Sequence, residues 1–260
     1  MIYLGTVNWR YPHWVNSFYP MDDDSQWLSY YAKQSSFAEI RTTYSRILPS
    51  EIVNHWAINT SDNFIFAASM NKQVTYDKNN EIHKEMITKF FDMLKPLGDK
   101  LGIVLLHFPK LLQYTQRNME FISRIIDSCK EYFNGYFVVD VSNRSWYVDE
   151  VNEVLINKDA CLLNSDRKPI GSSMSNPEFY YLKLAGDTRI IPKKEFGQLY
   201  FPREEDLKHW SNHLKFKSKR HKNIFVSIDN HYSGDSTKDA YLLSNTLTNM
   251  KIQINGFKSI

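Results

Sequence analysis

A series of short apolar runs in this sequence end on side chains able to hold or move a proton. "FAEIR" carries Glu39 and Arg41, "VLLHF" carries His107, and "VVDVS" carries Asp140. "LLNSD" ends on Asp166, "YLKLAG" contains Lys183, and "SIDN" ends on Asp229 and Asn230. Carboxylates beside an imidazole and an amine suit general acid–base work. Paired carboxylates can also serve as acid and nucleophile on a glycosidic bond, or hold a divalent ion at a phosphoester. Glu39 and Asp140 are therefore the candidate acid/base or ligand-orienting groups, assisted by His107 and Lys183. Asn8, Trp9, Tyr11, His13, Arg41, Asp166, Asp229 and Asn230 are candidate ligand contacts. Each charged group also has a structural alternative, because an ionisable side chain at an apolar strand end is costly unless paired. Glu39 and Arg41, two apart, would share a strand face and could neutralise each other. His107 could bond a backbone carbonyl, Lys183 could pair with a strand-end carboxylate, and Asp229 could simply terminate its strand. No zinc-like Cys/His spacing, nucleophile elbow, HExxH or phosphate loop occurs. No metal site is predicted, and the cofactor stays unassigned.

The apolar runs that must position these groups lie at 2–7, 37–40, 64–68, 101–108, 136–141, 160–166, 179–186 and 223–230. Several, such as "LGIVLLHF", are apolar throughout, as strands covered on both faces are. Between them, helical patterns fit 24–34, 50–60, 80–98, 117–132, 148–157, 203–215 and 236–250. In 80–98, Ile82, Met86, Phe90 and Leu94 repeat every four residues, and Gly98 supplies a stop. Only the stretch from Arg167 to Glu178 reads as too short and too polar for a helix. Eight such units in 260 residues predict a (β/α)8 barrel forming a single domain over 1–260. A doubly wound sheet would need a glycine-rich turn after an early strand, and none is present. Barrel sites gather at the C-terminal strand ends, so the candidate residues should converge on one mouth.

Composition bounds the partners. With 42% hydrophobic and 23% charged residues the chain reads as globular. No apolar run approaches the roughly 20 residues of a membrane span, and "MIYLGTVNW" reads as a first strand, so a cytoplasmic protein without membrane contact is expected. The two cysteines, Cys129 and Cys161, read as buried thiols. The formal charge of +3 does not demand a polyanion. The basic run "KFKSKRHK" at 215–222 precedes a strand and so would lie at the barrel end opposite the mouth, where it fits a solvated helix end. A small polar ligand is the expected partner, nucleic acid the disfavoured one, and the oligomeric state is unassigned.

One stretch is unusual. "GTVNWRYPHWVNSFYP" (5–20) packs five aromatics and two prolines into what should be the first strand and its loop. With "FAEIRTTYSRI", "LGIVLLHFP", "VVDVSNRSW", "YYLKLAG" and "IDNHYSGDSTKDAYLL" it resembles, in order and spacing, the domain of unknown function 72 (YecE-like) family. The resemblance covers nearly the whole chain and implies a TIM-barrel-like fold and no established reaction. This chain is divergent: Val7-Asn8 replace the usual Ser-Gly, Arg41 an Asn, Ser69 a Lys and His107 a Gln. The most site-like family block, Glu-x-Arg-His-x-Ser-Trp, reads Asp140, Ser142, Asn143, Ser145 and Trp146, and Arg-x-His-Gly reads Lys183, Ala185 and Gly186. The expected function is a hydrolase-like or ligand-binding barrel with a carboxylate-lined mouth walled by aromatics, taking a sugar-, phosphate- or nucleotide-like ligand. The alternatives are a non-catalytic binding protein that kept the pocket, and a nucleic-acid-binding protein. In the aromatic block, Trp14, Phe18 and Tyr19 are expected to pack the loop down, leaving Asn8, Trp9, Tyr11 and His13 nearest the site.

Overall fold

A computed structural model describes residues 1–168 and 176–257. All eight expected strands form, as β1 (Ile2–Val7), β2 (Phe37–Ile40), β3 (Ile65–Ser69), β4 (Leu101–His107), β5 (Tyr136–Asp140), a split sixth strand, β8 (Phe179–Leu184) and β9 (Asn223–Ile228). The sixth strand is β6 (Ala160–Leu162) followed by β7 (Asn164–Ser165). All pair in parallel in the order β6-β5-β4-β3-β2-β1-β9-β8-β7. The two ends of that path are consecutive in the chain, so the ring closes through Leu163. The Asn164 amide spans the break, donating to the carbonyls of Leu162 and Tyr181. A two-residue strand, β10 (Ile254–Asn255), adds to the N-terminal half of β1. The fold is a TIM-barrel-like α/β barrel.

Helices α1 (Trp27–Gln34), α2 (Ser50–Ile58), α3 (Lys72–Thr75), α4 (Lys84–Leu94), α5 (Gln116–Lys130), α6 (Asp149–Ile156), α7 (Glu204–Lys217) and α8 (Ser236–Asn249) complete the fold. Their sequences explain their ends. Thr115 caps α5 by accepting from the Asn118 amide, and Asp235 caps α8 through the Thr237 and Lys238 amides. Helix α4 is shorter than its apolar repeat suggests: Ile82 precedes it, and Pro96 turns its end into a 3-10 segment. Gly98 there adopts φ +51°, a conformation that favours glycine. The expectation of no full helix between the sixth and seventh runs falls on 169–175, outside the described residues.

Alternation within the strands divides the apolar residues into two cores. Outward side chains, among them Leu4, Phe66, Leu106, Val139, Leu182 and Val226, pack under the helices. Inward ones form a separate cluster that includes Phe37, Leu105, Val138, Tyr181 and Phe225. Aromatics plug the N-terminal end of the ring, where Tyr3 stacks on Phe225 at 5.0 Å and Tyr136 on Phe179 at 4.2 Å. Cys129 and Cys161 are buried free thiols.

Gly5 belongs to the inward set and sits where β1 presses on β2. A Cβ there would lie 2.0 Å from the Phe37 carbonyl oxygen, a backbone atom with no freedom to retreat. Gly5→Ala should therefore exceed ordinary overpacking and destabilise the barrel by at least about 3 kcal/mol, read from the urea midpoint at unchanged slope. A midpoint within error of wild type would contradict this packing.

Candidate functional site

Toward the C-terminal end, the inward positions of successive strands turn from apolar to polar. Phe37 gives way to Glu39, Leu105 to His107, Val138 to Asp140, Tyr181 to Lys183, and Phe225 to Ser227. Two networks use these groups. In the first, Glu39 is completely buried. It accepts from the Lys183 ammonium at 2.5 Å, the Tyr181 hydroxyl at 2.9 Å and the Ser227 hydroxyl at 2.8 Å. Burial pushes the Glu39 carboxyl up, but the Lys183 charge and hydrogen bond outweigh it and hold the group below its ordinary value. The same charge on the carboxylate raises the Tyr181 phenol further after burial has raised it.

The second network runs through His107. Its Nδ1 lies 2.7 Å from Asp140 Oδ2, and its Nε2 lies 2.9 Å from Arg41 Nη1 and 3.0 Å from Ser69 Oγ. The other Asp140 oxygen accepts from Lys168. Burial raises the Asp140 carboxyl, yet Lys168 and His107 together hold it well below the carboxylate range. His107 is pushed down, first by burial and then by the charges of Arg41 and Lys183, against the pull of Asp140. The Arg41 guanidinium stacks 4.6 Å from the Tyr44 ring centre, and Tyr44 meets the His107 ring edge-on.

Above these networks opens a cavity of about 860 Å³. Around it stand Arg41, Lys110, Arg167, Lys168, Lys183, Arg189 and Lys193, against the carboxylates Asp140, Asp187 and Asp229. The expected carboxylate-lined mouth is thus corrected to a predominantly cationic one. The added positive charge comes from loops: Lys110 follows β4, while Arg189 and Lys193 follow β8. One wall is aromatic, with Tyr11 edge-on to Phe196 at 5.8 Å and Phe196 to His231 at 4.8 Å.

The sequence candidates separate cleanly by position. Asn8, Tyr11, His13, Arg41, Asp140, Lys183 and Asp229 line the cavity. Glu39 and His107 lie directly behind its floor, each bonded to a lining cation. Asn8 takes φ +56°, and its Oδ1 accepts from the Arg41 amide. Tyr11 donates its hydroxyl to the Val7 carbonyl, and burial, reinforced by Asp229, raises its phenol. Trp9 does not reach the mouth: it is buried in the outer core against Trp56 and Phe66. Asp166 holds a turn, accepting from the Ala185 and Gly186 amides at 2.7 and 3.1 Å. Gly186 allows this, since a Cβ would meet the His231 carbonyl oxygen at 1.9 Å. Asn230 is buried and ties Trp14 Nε1 to Ser236. The anticipated Glu39–Arg41 pairing is replaced. β2 ends at Ile40, Arg41 takes helical dihedrals, and its side chain swings to His107 instead. His107 likewise meets a carboxylate and not a backbone carbonyl.

Trp14, Phe18 and Tyr19 do pack the first loop down, Tyr19 stacking on Trp27 at 5.1 Å. Partners that sequence reasoning missed are Tyr181, Ser227, Tyr44 and Lys168, whereas Ser69, which stands where the family resemblance expects a Lys, joins through His107. The first two carried a signal, since they share a strand face with Lys183 and Asp229; Lys168, in a polar loop, carried none. The basic run at 215–222 closes α7 and leads into β9, away from the mouth. There Lys217 packs over Tyr180 and Arg220 over Phe216. Among the described residues no helix is long and apolar enough to cross a membrane, and no cluster of three or more His, Cys, Asp or Glu could hold a metal ion.

The model of the family described as "Protein of unknown function DUF72" matches residues 3–256. The UPF0759 protein YecE of Escherichia coli K12 is 23% identical over 158 residues, 61% of this chain and 54% of YecE. The alignment thus spans about half the length of that curated relative. A DUF72 protein of Enterococcus faecalis V583 superposes with a TM-score of 0.79 at 19% identity, covering 100% of this chain and 99% of that one. A DUF72 protein of Thermotoga maritima does so at 0.76 and 22% identity, covering 96% and 99%. A D-psicose 3-epimerase crystallised with D-fructose shares the barrel more distantly, at 0.52 and 11% over 96% and 98%.

The buried pair sets two expectations. Glu39→Gln leaves the Lys183 ammonium without its counter-charge and should destabilise by about 3 kcal/mol in urea unfolding, with the Glu39→Gln/Lys183→Met double variant recovering part of the loss. Because Glu39 and Asp140 are held below their unfolded values of about 4.3 and 3.9, the unfolded chain takes up protons first on acidification. Wild-type stability should therefore fall as pH drops through about 4 and below, less steeply in Glu39→Gln. Identical acid profiles for the two proteins would contradict the pairing.

Proposed function

The chain belongs to the DUF72 family, and we propose that its barrel mouth binds a small polar ligand bearing a phosphate or carboxylate, of sugar-phosphate or nucleotide size. The observation that carries this is the charge of the mouth: among the described residues, seven Lys or Arg side chains stand against three carboxylates. Some are compensated, Arg167 and Arg189 by Asp187 and Lys168 by Asp140. Among the described residues Arg41 is ion-paired to no carboxylate, its guanidinium meeting the His107 ring and lying on Tyr44, and the Lys183 ammonium is bonded on its inner side. Both can therefore meet an anion at the floor. The aromatic wall of Tyr11, Phe196 and His231 suits the apolar face of a sugar or base.

Binding is favoured over turnover because the proton carriers are already engaged. Both Asp140 oxygens and both His107 nitrogens have protein partners. The positions where the family resemblance expects an Arg and a His at this mouth are Ser142 and Ala185, and both line the cavity. A second reading, hydrolysis at the same mouth, rests on Asp140, whose side chain remains 25% exposed beside the cavity.

Calorimetric titration of glucose 6-phosphate, ribose 5-phosphate and AMP against their unphosphorylated parents tests the binding reading. The phosphorylated members should bind at least tenfold tighter, with affinity falling as salt rises. The Glu39→Gln/Lys183→Met variant removes a floor cation without stranding a buried carboxylate, and should weaken them by about 10- to 100-fold. Equal affinity for phosphorylated and parent compounds would refute the proposal. Product formation abolished by Asp140→Asn would favour the second reading.

A further inference from the structure

We propose that the ligand is a phosphorylated monosaccharide and that Asp229 is its specificity-determining residue, accepting hydrogen bonds from the sugar hydroxyls while the floor cations Lys183 and Arg41 hold the phosphate. This rests on the reading of the mouth as an anion site and narrows the class of ligand that site takes.

The three carboxylates of the mouth are not alike. Asp187 is ion-paired to Arg167 and Arg189, and Asp140 to Lys168. Asp229 lines the same cavity, yet among the described residues it is ion-paired to no cation. There only its Oδ1 takes a hydrogen bond, from the His231 amide at 3.0 Å. That bond shapes the turn after β9, but an Asn or Ser oxygen would shape it as well, so the turn does not call for the charge. An ionised carboxylate can only accept, and its bonds from hydroxyls are stronger than those between neutral groups. In a predominantly cationic mouth a neutral hydroxyl meets it without the repulsion that an ammonium would feel from the surrounding lysines and arginines.

The position of Asp229 suits this role. It follows Ile228 on the inward face that Phe225 and Ser227 share, and its amide donates to the Leu184 carbonyl at 2.9 Å, continuing the ladder with β8. Two residues along a strand advance about 6.5 Å, so Asp229 stands that far beyond Ser227. The Ser227 hydroxyl donates to Glu39, the partner of Lys183. The carboxylate and the floor cation are thus separated by a step comparable with the span of one sugar ring.

The wall beside Asp229 is held by backbone contacts. Gly197, directly after Phe196, takes φ +89°, and a Cβ there would lie 2.2 Å from the His13 carbonyl oxygen. Its amide donates to the Gly234 carbonyl at 2.9 Å, so the loop carrying Phe196 is pressed onto the first loop and tied to the last. His231 Nδ1 lies 3.0 Å from the Ile191 carbonyl, which can only accept, so Nδ1 carries the proton and the ring is anchored. Phe196 stands at 79° to Tyr11 and 78° to His231. Rings set edge-on make a corner and no slot between parallel faces, a shape that fits the C–H faces of a puckered sugar better than a flat base. The Tyr11 hydroxyl is already given to the Val7 carbonyl, so its ring is what it offers.

Glucose 6-phosphate, fructose 6-phosphate, ribose 5-phosphate, AMP, phosphoethanolamine and inorganic phosphate are titrated calorimetrically into the full chain at about pH 8, where each phosphate is close to doubly charged. The tightest of the three sugar phosphates should bind at least tenfold more tightly than inorganic phosphate and phosphoethanolamine, and AMP should not exceed ribose 5-phosphate. Asp229→Asn keeps the turn and removes the charge. It should weaken that sugar phosphate at least fivefold while leaving inorganic phosphate unchanged or tighter, because a negative charge has left an anion site. Folding is checked by thermal melt. Should Asp229→Asn not fold, Asp229→Ser takes its place, and the wild-type ranking decides by itself if neither folds. Equal wild-type affinity for inorganic phosphate and the sugar phosphates, tighter binding of phosphoethanolamine or AMP, or a like change in sugar phosphate and inorganic phosphate in Asp229→Asn would overturn the proposal and leave the anion site standing. Failure of every phosphate to bind wild type would instead remove the anion site itself.

Discussion

A carboxylate with no exposure to water, inside a ring of strands, has to find a cation across the ring. Glu39 is that carboxylate, and the pairing with Lys183 brings together β2 and β8, which are not neighbours in the sheet. Tyr181 and Ser227 satisfy the remaining lone pairs, so the group is compensated in both charge and hydrogen bonds. An ion left half-paired there would carry a desolvation cost of several kcal/mol. The satisfied cluster instead forms a rigid polar floor on which everything above it stands.

That floor marks a change along the barrel axis. Below it the interior is filled by rings and aliphatic chains, and the plug of Tyr3, Phe225, Tyr136 and Phe179 leaves no room for solvent. Above it the inward side chains are mainly polar, with Val7 and Leu163 among them, and the cavity opens. The strands supply two carboxylates, Glu39 and Asp140, and one ammonium, Lys183; Glu39 is paired within the strands, while Asp140 is met by Lys168 from the loop after β7. The loops can add uncompensated charge, because theirs are wet. This division explains why a mouth whose strand ends suggested carboxylates is cationic overall.

The aromatic block after β1 works as a clamp on the same end of the barrel. Trp14 reaches the buried Asn230 beyond β9, and Tyr19 bonds the Trp9 carbonyl and stacks on α1. These contacts join the first and last barrel strands at the rim and hold Tyr11 and His13 over the cavity. One short stretch thus packs with one set of rings and walls the site with another. Trp9 belongs to the packing set because, directly after the left-handed Asn8, its ring falls on the helix side of the strand.

Much of this molecule was legible without coordinates. Eight apolar runs alternating with helical periods could make few folds other than a barrel, since local patterns report backbone geometry and which faces must be buried. The convergence of Glu39, His107, Asp140 and Lys183 on one end followed from where barrel strands finish, and Lys183 pairing with a strand-end carboxylate was among the foreseen outcomes. Local pattern could not choose partners. Whether Glu39 met Arg41 or Lys183 depended on β2 ending at Ile40, and on which side chains lay opposite across a closed ring. The roles of Trp9, Asp166 and Asn230 depended likewise on turns that rotate a side chain toward the core, toward backbone amides or toward the mouth. Spacing along a chain determines which face a residue shares; only closure of the ring determines what stands opposite it, because partners there come from strands more than a hundred residues apart in sequence.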